Sequence, residues 1–218
     1  MTRLVEVRTQ ILKKNDEHAR ALRQRFADAG VRVVSMVSSP GSGKTELLKQ
    51  LLLQLKRDRP ELRAAVLVGD LRTDNDAVRL AAAGYPTQQI ETGTMCHLEA
   101  DMVGRAIEAS GWELNDLDLL LVENVGNLVC PATFDLGESL RLVALSTTEG
   151  EDKPLKYPTI FNTADVAVIT KMDLAEALDF DEALLRKNID EVRPGMKTLA
   201  VSAKQGRGLA ELVGVLLG

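Results

Sequence analysis

The sequence predicts an α/β fold, a mostly parallel sheet with helices on both of its faces. Apolar runs rich in valine, isoleucine and leucine recur along the chain, as at residues 31–37 and 117–122, and are typical of buried strands. Segments with helical periodicity separate these runs, and this alternation indicates parallel strands joined by helices. Glycine-rich or acidic segments follow several runs directly, and the carboxyl ends of strands are where such sheets bind ligands.

Length and charge exclude several classes of protein. The 218 residues suffice for one buried core, and a formal net charge of −5 does not suggest a nucleic-acid partner. The N-terminus lacks the apolar core of a signal peptide, and the apolar runs are too short to cross a membrane. A cytoplasmic protein is therefore expected. Cys96 and Cys130 make a poor disulfide framework, which leaves metal binding or simple burial.

The N-terminal residues 5–28 predict an amphipathic helix, which Gly30 ends. Its apolar stripe consists of Ile11, Leu12, Ala19, Leu22 and Phe26, with charged residues between them. We expect this stripe to pack on the sheet or on a partner.

Residues 38–45, SSPGSGKT, lie between the first predicted strand and a helical pattern at 46–55. A strand, a glycine-rich turn, Lys-Thr and a helix together form the P-loop arrangement. We expect the backbone N–H groups of Gly41, Ser42 and Gly43 to face a polyphosphate at the helix N-terminus. Lys44 would meet the β- and γ-phosphates, and Thr45 would ligate Mg²⁺. Ser38 replaces the glycine that usually opens the motif.

Acidic residues follow two further predicted strands. Asp70 follows the run at 64–68, where it could face Mg²⁺ or the attacking water, and Asp74 could do so instead or cap the next helix. Glu123 ends the run at 117–122 in the Walker B position, which holds the Mg²⁺ shell, and the N–H of Gly126 could reach the γ-phosphate. Which of Asp70, Asp74 and Glu123 contacts Mg²⁺ or water stays open.

A cysteine-histidine pair follows the short predicted strand at 87–90. We expect Cys96 and His97 to open a helix that ends near Ser110, where the helix N-terminus would favour the thiolate. If Cys130 meets them in space, two thiolates and an imidazole would suit Zn²⁺ or Ni²⁺. Water or a second chain would have to complete the ligand set. Because Cys130 follows Gly126 closely, such a site could couple nucleotide state to metal affinity. The alternative is two buried apolar thiols.

Two late strand ends resemble the base-reading elements of GTPases. The predicted strand at 166–169 leads into Thr170, Lys171 and Asp173, and the strand at 197–201 leads into a second element made of Ser202, Ala203 and Lys204. Lys171 would cover the base, and Asp173 would accept hydrogen bonds from guanine N1–H and the exocyclic amine. Adenine lacks this donor pair, so ATP would lose roughly 1–3 kcal/mol or more.

The remaining pattern comprises a strand at 140–146, a polar loop at 149–158 and a closing helix at 209–217. The prediction is thus an N-terminal helix, residues 1–30, followed by a P-loop GTPase domain, residues 31–218. We identify no arginine finger or water-positioning glutamine, so slow hydrolysis is expected.

These residues resemble the HypB family of GTPases, which assist nickel insertion into [NiFe]-hydrogenase. The similar stretches run from residue 11 to the C-terminus: ILKKNDEHA, SSPGSGKT, VGDLRTDNDA, TGTMCHLEADM, VENVGNLVCP, DKPLKYP, TKMDL and SAKQGRGL. The resemblance implies a dimer that forms with GTP, with nickel or zinc bound by Cys96, His97 and Cys130 at the dimer interface. It also implies exchange with the accessory protein HypA and delivery to the hydrogenase large subunit. The chain lacks the N-terminal cysteine motif and histidine-rich tract of many members, so high-capacity nickel storage is not expected.

Three other classes of protein fit this sequence less well. A urease-type nickel GTPase similar to UreG usually carries Cys-Pro-His, whereas this chain has Met95-Cys96-His97 and a second cysteine. A P-loop small-molecule kinase has no reason to carry TKMD and SAK at these positions. A non-catalytic scaffold that uses the fold only for dimerisation would not need intact Lys44, Thr45, Asp70 and Glu123.

Overall fold

The computed structural model describes residues 2–70 and 75–218, with side chains from residue 9 onward. Within these residues seven strands form one sheet, in the order β3-β2-β4-β1-β5-β6-β7, and every neighbouring pair is parallel. The strands are β1 Arg32–Ser38, β2 Ala64–Asp70, β3 Thr87–Glu91, β4 Leu119–Glu123, β5 Leu140–Ser146, β6 Val166–Thr170 and β7 Lys197–Ala200. The predicted α/β class is confirmed, and the sheet is parallel throughout.

Helices connect the strands and cover both faces of the sheet. They are α1 Thr2–Ala29, α2 Lys44–Asp58, α3 Asn75–Ala81, α4 Ala100–Ser110, α5 Lys153–Lys156, α6 Pro158–Thr163, α7 Glu182–Val192 and α8 Leu209–Leu217. Because successive strand residues point to opposite faces, the β-strand side chains divide between two sets of apolar contacts. Leucines of α2 and α8 fill one face, while α1, α4, α6 and α7 cover the other.

The position of β1 in the middle of the sheet determines where the site lies. β1 pairs with β4 on one side and with β5 on the other, so the chain crosses over β4 to reach β2. Ligands of doubly wound sheets bind at such a reversal of strand order, outside the carboxyl ends of the strands. The carboxyl ends of β1, β2, β4, β6 and β7 all lie at this edge.

The predicted N-terminal helix is present as α1, and its apolar stripe is buried only in part. Ala19, Leu22 and Phe26 are at most 5% exposed and pack in the same cluster as residues of α4 and the sheet. Ile11, nearer the N-terminus, is 46% exposed. Among the described residues, no helix has the length and apolar character needed to cross a bilayer.

Three local expectations differ from the structure. The predicted loop at 149–158 contains α5 and the start of α6. No element was expected at α7, whose N-terminus is capped by the Asp181 side chain accepting from Leu184 N at 2.9 Å. The helix expected to begin at Cys96 begins at Ala100.

Candidate functional site

The P-loop crosses the carboxyl end of β1 and leads into α2. Gly41 and Gly43 have φ values of 73° and 88°, in the left-handed region that side chains disfavour. A cavity of about 450 Å³ lies against this loop. Its walls are formed by residues from the P-loop and from β2, α3 and the loop after β4: Ser39, Pro40, Gly41, Ser42, Gly43, Lys44, Thr45, Glu46, Asp70, Asp76, Arg79, Val125 and Gly126.

Glu123 at the end of β4 receives two hydrogen bonds from the start of α2. Lys44 Nζ lies 2.9 Å from Glu123 Oε1, and Thr45 Oγ1 donates to the same oxygen at 2.7 Å. All three residues are buried. Glu123 Oε2 and the buried Ser42 Oγ find no hydrogen-bond partner among the described residues. An unpaired buried carboxylate oxygen is unfavourable, so this donor set fits a divalent cation with its water shell beside a phosphate.

The lining of the same cavity also includes Asp70 and an unexpected cation. Arg79 of α3 borders the cavity and binds Glu46 Oε2 at 3.0 Å and Asp76 Oδ1 at 3.5 Å. The pKa of Glu46 is lowered, first by the hydrogen bond from Gln50, against opposition from burial, and further by Lys49 and Arg79. No local sequence pattern predicts this role for Arg79, because its place in the cavity lining depends on how α3 packs. The expected alternative Asp74 lies outside the described residues.

A second cavity, of about 300 Å³, lies on the other side of the P-loop. It is lined by the two predicted base-reading elements and by α2: Ser42, Gly43, Glu46, Leu47, Thr170, Lys171, Asp173, Leu174, Val201, Ala203 and Lys204. Ser202 Oγ donates to Asp173 Oδ1 at 2.6 Å, and this bond is the main cause of the lowered pKa of Asp173. Asp173 is therefore a carboxylate at neutral pH, the form that can accept from guanine donors.

Thr170 and Lys171 bind the P-loop itself. The buried Thr170 hydroxyl donates to the carbonyl of Ser42 at 2.6 Å. Lys171, whose φ is 58°, donates from Nζ to the carbonyl of Gly41 at 2.6 Å. A Cβ on Gly43 would lie 3.5 Å from the Lys171 side chain. Thr170 therefore supports the P-loop through its hydroxyl. The sequence predicted only that it belongs to the nucleotide-binding residues.

Cys96, His97 and Cys130 come together in space. Their ligand atoms lie within 4.8 Å of one another, and the two cysteines are not joined in a disulfide although their Sγ atoms are 2.8 Å apart. Cys96 and His97 do not begin a helix as predicted, because α4 begins four residues after Cys96, at Ala100. Burial lowers the pKa of His97, while Glu99 acts in the opposite direction. A neutral imidazole and two thiols are the groups that bind Zn²⁺ or Ni²⁺ once the thiols ionise.

Two asparagines that the sequence analysis passed over connect the metal-ligand segments. Asn124 Oδ1 accepts from Leu98 N at 3.0 Å, and Asn127 Nδ2 donates to the carbonyl of Cys96 at 3.3 Å. Both asparagines belong to the loop between Glu123 and Cys130. This loop, residues 124–130, therefore holds the Cys96 segment in place.

The same loop contacts the P-loop. A Cβ on Gly126 would lie 3.0 Å from the Cα atom of Pro40, so only glycine fits without a shift. The loop thus touches the phosphate cavity at Gly126 and reaches the metal-ligand cluster at Cys130.

Helix α1 is tied to both metal-ligand segments through one buried side chain. Asn15 Nδ2 donates to the carbonyl of Asp135 at 2.8 Å, and Asn15 Oδ1 accepts from Ala100 N at 2.9 Å. Arg23, two turns further on, binds Asp135 at 2.7 Å. The N-terminal helix therefore fixes the chain just after His97 and just after Cys130.

Comparison with known proteins gives the same assignment along most of the chain. Residues 32–200 match the family model described as the CobW/HypB/UreG nucleotide-binding domain. The hydrogenase maturation factor HypB of Azotobacter chroococcum is 49% identical over 212 residues, which cover 96% of this chain and 67% of that protein.

Two solved structures have the same fold at substantial identity. The structure of Helicobacter pylori HypB in complex with nickel has a TM-score of 0.86 and 39% identity, covering 94% of each chain. The hydrogenase maturation factor HypB of Archaeoglobus fulgidus has a TM-score of 0.84 and 35% identity, covering 94% of this chain and 97% of that one. The chain therefore belongs to the CobW/HypB/UreG family of P-loop nucleotide-binding proteins and, within it, to the HypB hydrogenase maturation factors.

Proposed function

We propose that this protein is a slow GTPase that binds nickel or zinc and assists nickel insertion into [NiFe]-hydrogenase, with nucleotide state controlling dimerisation and metal transfer. The observation that carries the proposal is the loop at residues 124–130. It follows Glu123, which binds Lys44 and Thr45, and it ends at Cys130, whose thiol meets Cys96. A change at the phosphates can therefore move a metal ligand.

The P-loop cavity is proposed to hold the triphosphate. Backbone N–H groups of Gly41, Ser42 and Gly43 would bind it, and Lys44 would neutralise charge on the β- and γ-phosphates. Mg²⁺ would be held by Thr45, with Asp70 or Glu123 acting through water, and would offset charge on the transferring phosphoryl group.

Hydrolysis requires attack of one water on the γ-phosphorus in line with the bond that breaks. The bond to the β–γ bridging oxygen breaks, and the products are GDP and inorganic phosphate. The Gly126 N–H is suited to the γ-phosphate, because Gly126 borders the same cavity as Lys44. Arg79 adds positive charge to the lining of this cavity, but Glu46 and Asp76 bind it there. These contacts agree with slow intrinsic turnover.

Guanine selectivity would come from the second cavity. Asp173 would accept from N1–H and the exocyclic amine of the base, with Lys171 over the ring and Ala203 and Lys204 at its edge. Adenine would leave the carboxylate unpaired, which costs roughly 1–3 kcal/mol.

The metal cargo would bind to the Cys96, His97 and Cys130 donors. Three donors leave the coordination of nickel or zinc incomplete, so water or a second copy of the chain would complete it. Val129, beside Cys130, is 63% exposed, so an exposed apolar side chain lies next to the cluster, where a second copy or an accessory protein could cover it. We propose a GTP-dependent homodimer, a HypA-like accessory protein and the hydrogenase large subunit as its partners.

Urease maturation is the second candidate. A Helicobacter pylori relative, 39% identical over 98% of this chain, is named a hydrogenase/urease maturation factor. Nickel delivered to urease instead of hydrogenase would use the same donors.

The deciding experiment measures nickel and zinc binding by the purified protein with GDP and with a non-hydrolysable GTP analogue, together with the oligomeric state. We expect metal affinity or dimerisation to change with the nucleotide, and Cys96→Ala and Cys130→Ala each to weaken metal binding while GTP binding persists. Metal binding that is indifferent to nucleotide and to both cysteine variants would leave a GTPase without a metal function.

A further inference from the structure

The ring of His97 presents its two nitrogens to different groups. Nδ1 faces the thiol of Cys96, with the sulfur 4.0 Å away. Nε2 is buried, has no hydrogen-bond partner among the described residues, and lies 3.7 Å from Glu99 Oε1. The ring of Phe134 packs against the imidazole with centroids 4.0 Å apart. The ring is thus held with one nitrogen toward the thiol cluster and the other toward a carboxylate.

A neutral imidazole carries one proton, so a metal ion on Nδ1 requires that proton to be on Nε2. The Nε2–H then needs an acceptor, because a buried donor without one is unfavourable. Glu99 Oε1, 3.7 Å from Nε2, can serve as this acceptor. The 3.7 Å separation exceeds a hydrogen bond, and a side-chain movement of about 0.8 Å closes it.

Glu99 is free to make this contact. Glu99 directly precedes α4, and its backbone carbonyl accepts hydrogen bonds from Met102 N and Val103 N. Its side chain makes no capping hydrogen bond to the helix. The backbone therefore holds Glu99 beside His97, while its carboxylate makes no capping hydrogen bond to α4.

We propose that Glu99 is a positioning residue of the metal site, which accepts the Nε2–H of His97 and so directs Nδ1 to the metal cargo. This inference rests on the proposed metal-binding function. Carboxylate partners of metal-bound histidines fix the tautomer and the ring orientation, and their loss typically weakens metal affinity by about 10- to 100-fold.

The first test is zinc and nickel affinity, measured by chelator competition on the full-length protein. Glu99→Ala is expected to weaken binding by about 10- to 100-fold, and Glu99→Gln by less, because its amide oxygen still accepts the N–H. Asp101→Asn is the matched control: it removes another acid at the start of α4, one that contacts His18 and Arg105. The control should bind metal as the unaltered protein does.

The second test is a double-mutant cycle with His97→Ala. Because Glu99 acts through His97, Glu99→Ala should cause almost no further loss in the His97→Ala background. An equal loss in both backgrounds would overturn the proposal, since the carboxylate would then act independently, for example as a direct ligand. Unchanged affinity in Glu99→Ala alone would overturn it too.

The third test reads the tautomer directly. Nitrogen-15 NMR of the zinc-loaded protein should show the His97 proton on Nε2 and the metal on Nδ1, and the reverse assignment would contradict the proposal.

Thermal unfolding of the metal-free variants separates misfolding from loss of the contact. If the unaltered protein and Cys96→Ala bind metal equally, the proposed metal function fails. If Cys96→Ala loses affinity and only Glu99→Ala has no effect, the positioning role alone fails.

Discussion

The amino group of Lys44 and the carboxylate of Glu123 form a buried ion pair, 2.9 Å long, between the first turn of α2 and the end of β4. In the proposed nucleotide complex, a phosphate would therefore compete with Glu123 for the ammonium group of Lys44. Such competition would link the acid at the strand end to the phosphates, and residue 124 begins the loop that ends at Cys130.

Replacing Lys44 with alanine should abolish measurable catalysis and also destabilise the fold. Loss of a charge-stabilising group lowers the rate on the order of 10²-fold or more. The variant also leaves Glu123 buried without its cation, at a cost of about 3–5 kcal/mol. Phosphate release and urea denaturation measure the two effects.

A second variant separates the two effects. Lys44→Met combined with Glu123→Gln removes both charges, so stability should largely return while hydrolysis does not. GTP hydrolysis at the normal rate in Lys44→Ala would contradict the assignment of the P-loop.

Asp173→Asn should change the base preference. The variant loses the acceptor for the guanine donors, so GTP affinity should fall by about 1–3 kcal/mol, or roughly 5- to 150-fold. Xanthine carries a carbonyl where guanine has its amine, so XTP should gain affinity from the new amide donor. Competition between the two nucleotides measures the change. Glu176→Gln, an exposed acid in the turn that follows, is the control, and equal effects of the two variants would refute the base contact.

Thr170→Val should loosen the P-loop. The methyl group cannot donate to the Ser42 carbonyl, and a buried carbonyl without a partner costs about 1–3 kcal/mol. For a chain of this size each 1 kcal/mol lowers the melting temperature by about 2–4 °C. We expect a lower melting temperature and weaker GTP binding. Thr170→Ser keeps the hydroxyl and should behave like the unaltered protein; if it is impaired as much as the valine variant, the hydroxyl is not what matters.

Asn127→Asp should weaken the coupling between nucleotide and metal. The aspartate still accepts from Val129 N but cannot donate to the Cys96 carbonyl. Coupling energies are typically 1–3 kcal/mol, so the ratio of metal affinities with GDP and with a GTP analogue should shrink toward one. Asn162→Asp, at an exposed position on α6, controls for the added charge. An undiminished ratio would show that coupling takes another route.

The Arg23–Asp135 pair should make stability depend on acid pH. Burial raises the pKa of Asp135, but the hydrogen bonds from Arg23 and from Gly137 N outweigh it, and the net pKa is lowered from 3.8. A carboxylate with a lowered pKa contributes stability above its unfolded value, and this contribution is lost as the pH falls through the folded value. The difference in unfolding free energy between the unaltered protein and Arg23→Met should therefore be constant near neutrality and shrink below about pH 4. A difference that stays constant into strong acid would contradict this.

Local sequence patterns predicted most of the fold. They also predicted that the candidate site residues lie at the carboxyl ends of the strands. Strands β1, β2 and β4 are continuous apolar runs, and the P-loop is a contiguous motif. Residues adjacent in the sequence were therefore sufficient to predict each of them. Helix α7 was missed, although its apolar residues Leu185 and Ile189 are one turn apart.

The contacts that sequence reasoning could not supply join distant parts of the chain. Asn15 binds residues 85 and 120 positions away, and Thr170 binds Ser42 across 128 positions. Contacts between distant residues also explain why the predicted start of α4 was wrong. Leu98 N and Ala100 N donate to the side chains of Asn124 and Asn15, so distant residues hold this segment outside the helix.

The central place of β1 also imposes an order on biosynthesis. Lys44 leaves the ribosome 79 residues before its partner Glu123, and the second cavity is closed only when Val201 and Lys204 arrive near the C-terminus. Parallel pairings of this kind form late, since the intervening chain must first be closed into a loop. A nascent chain therefore carries a complete P-loop motif long before the proposed base-binding cavity exists, so any selection among nucleotides would have to await the finished fold.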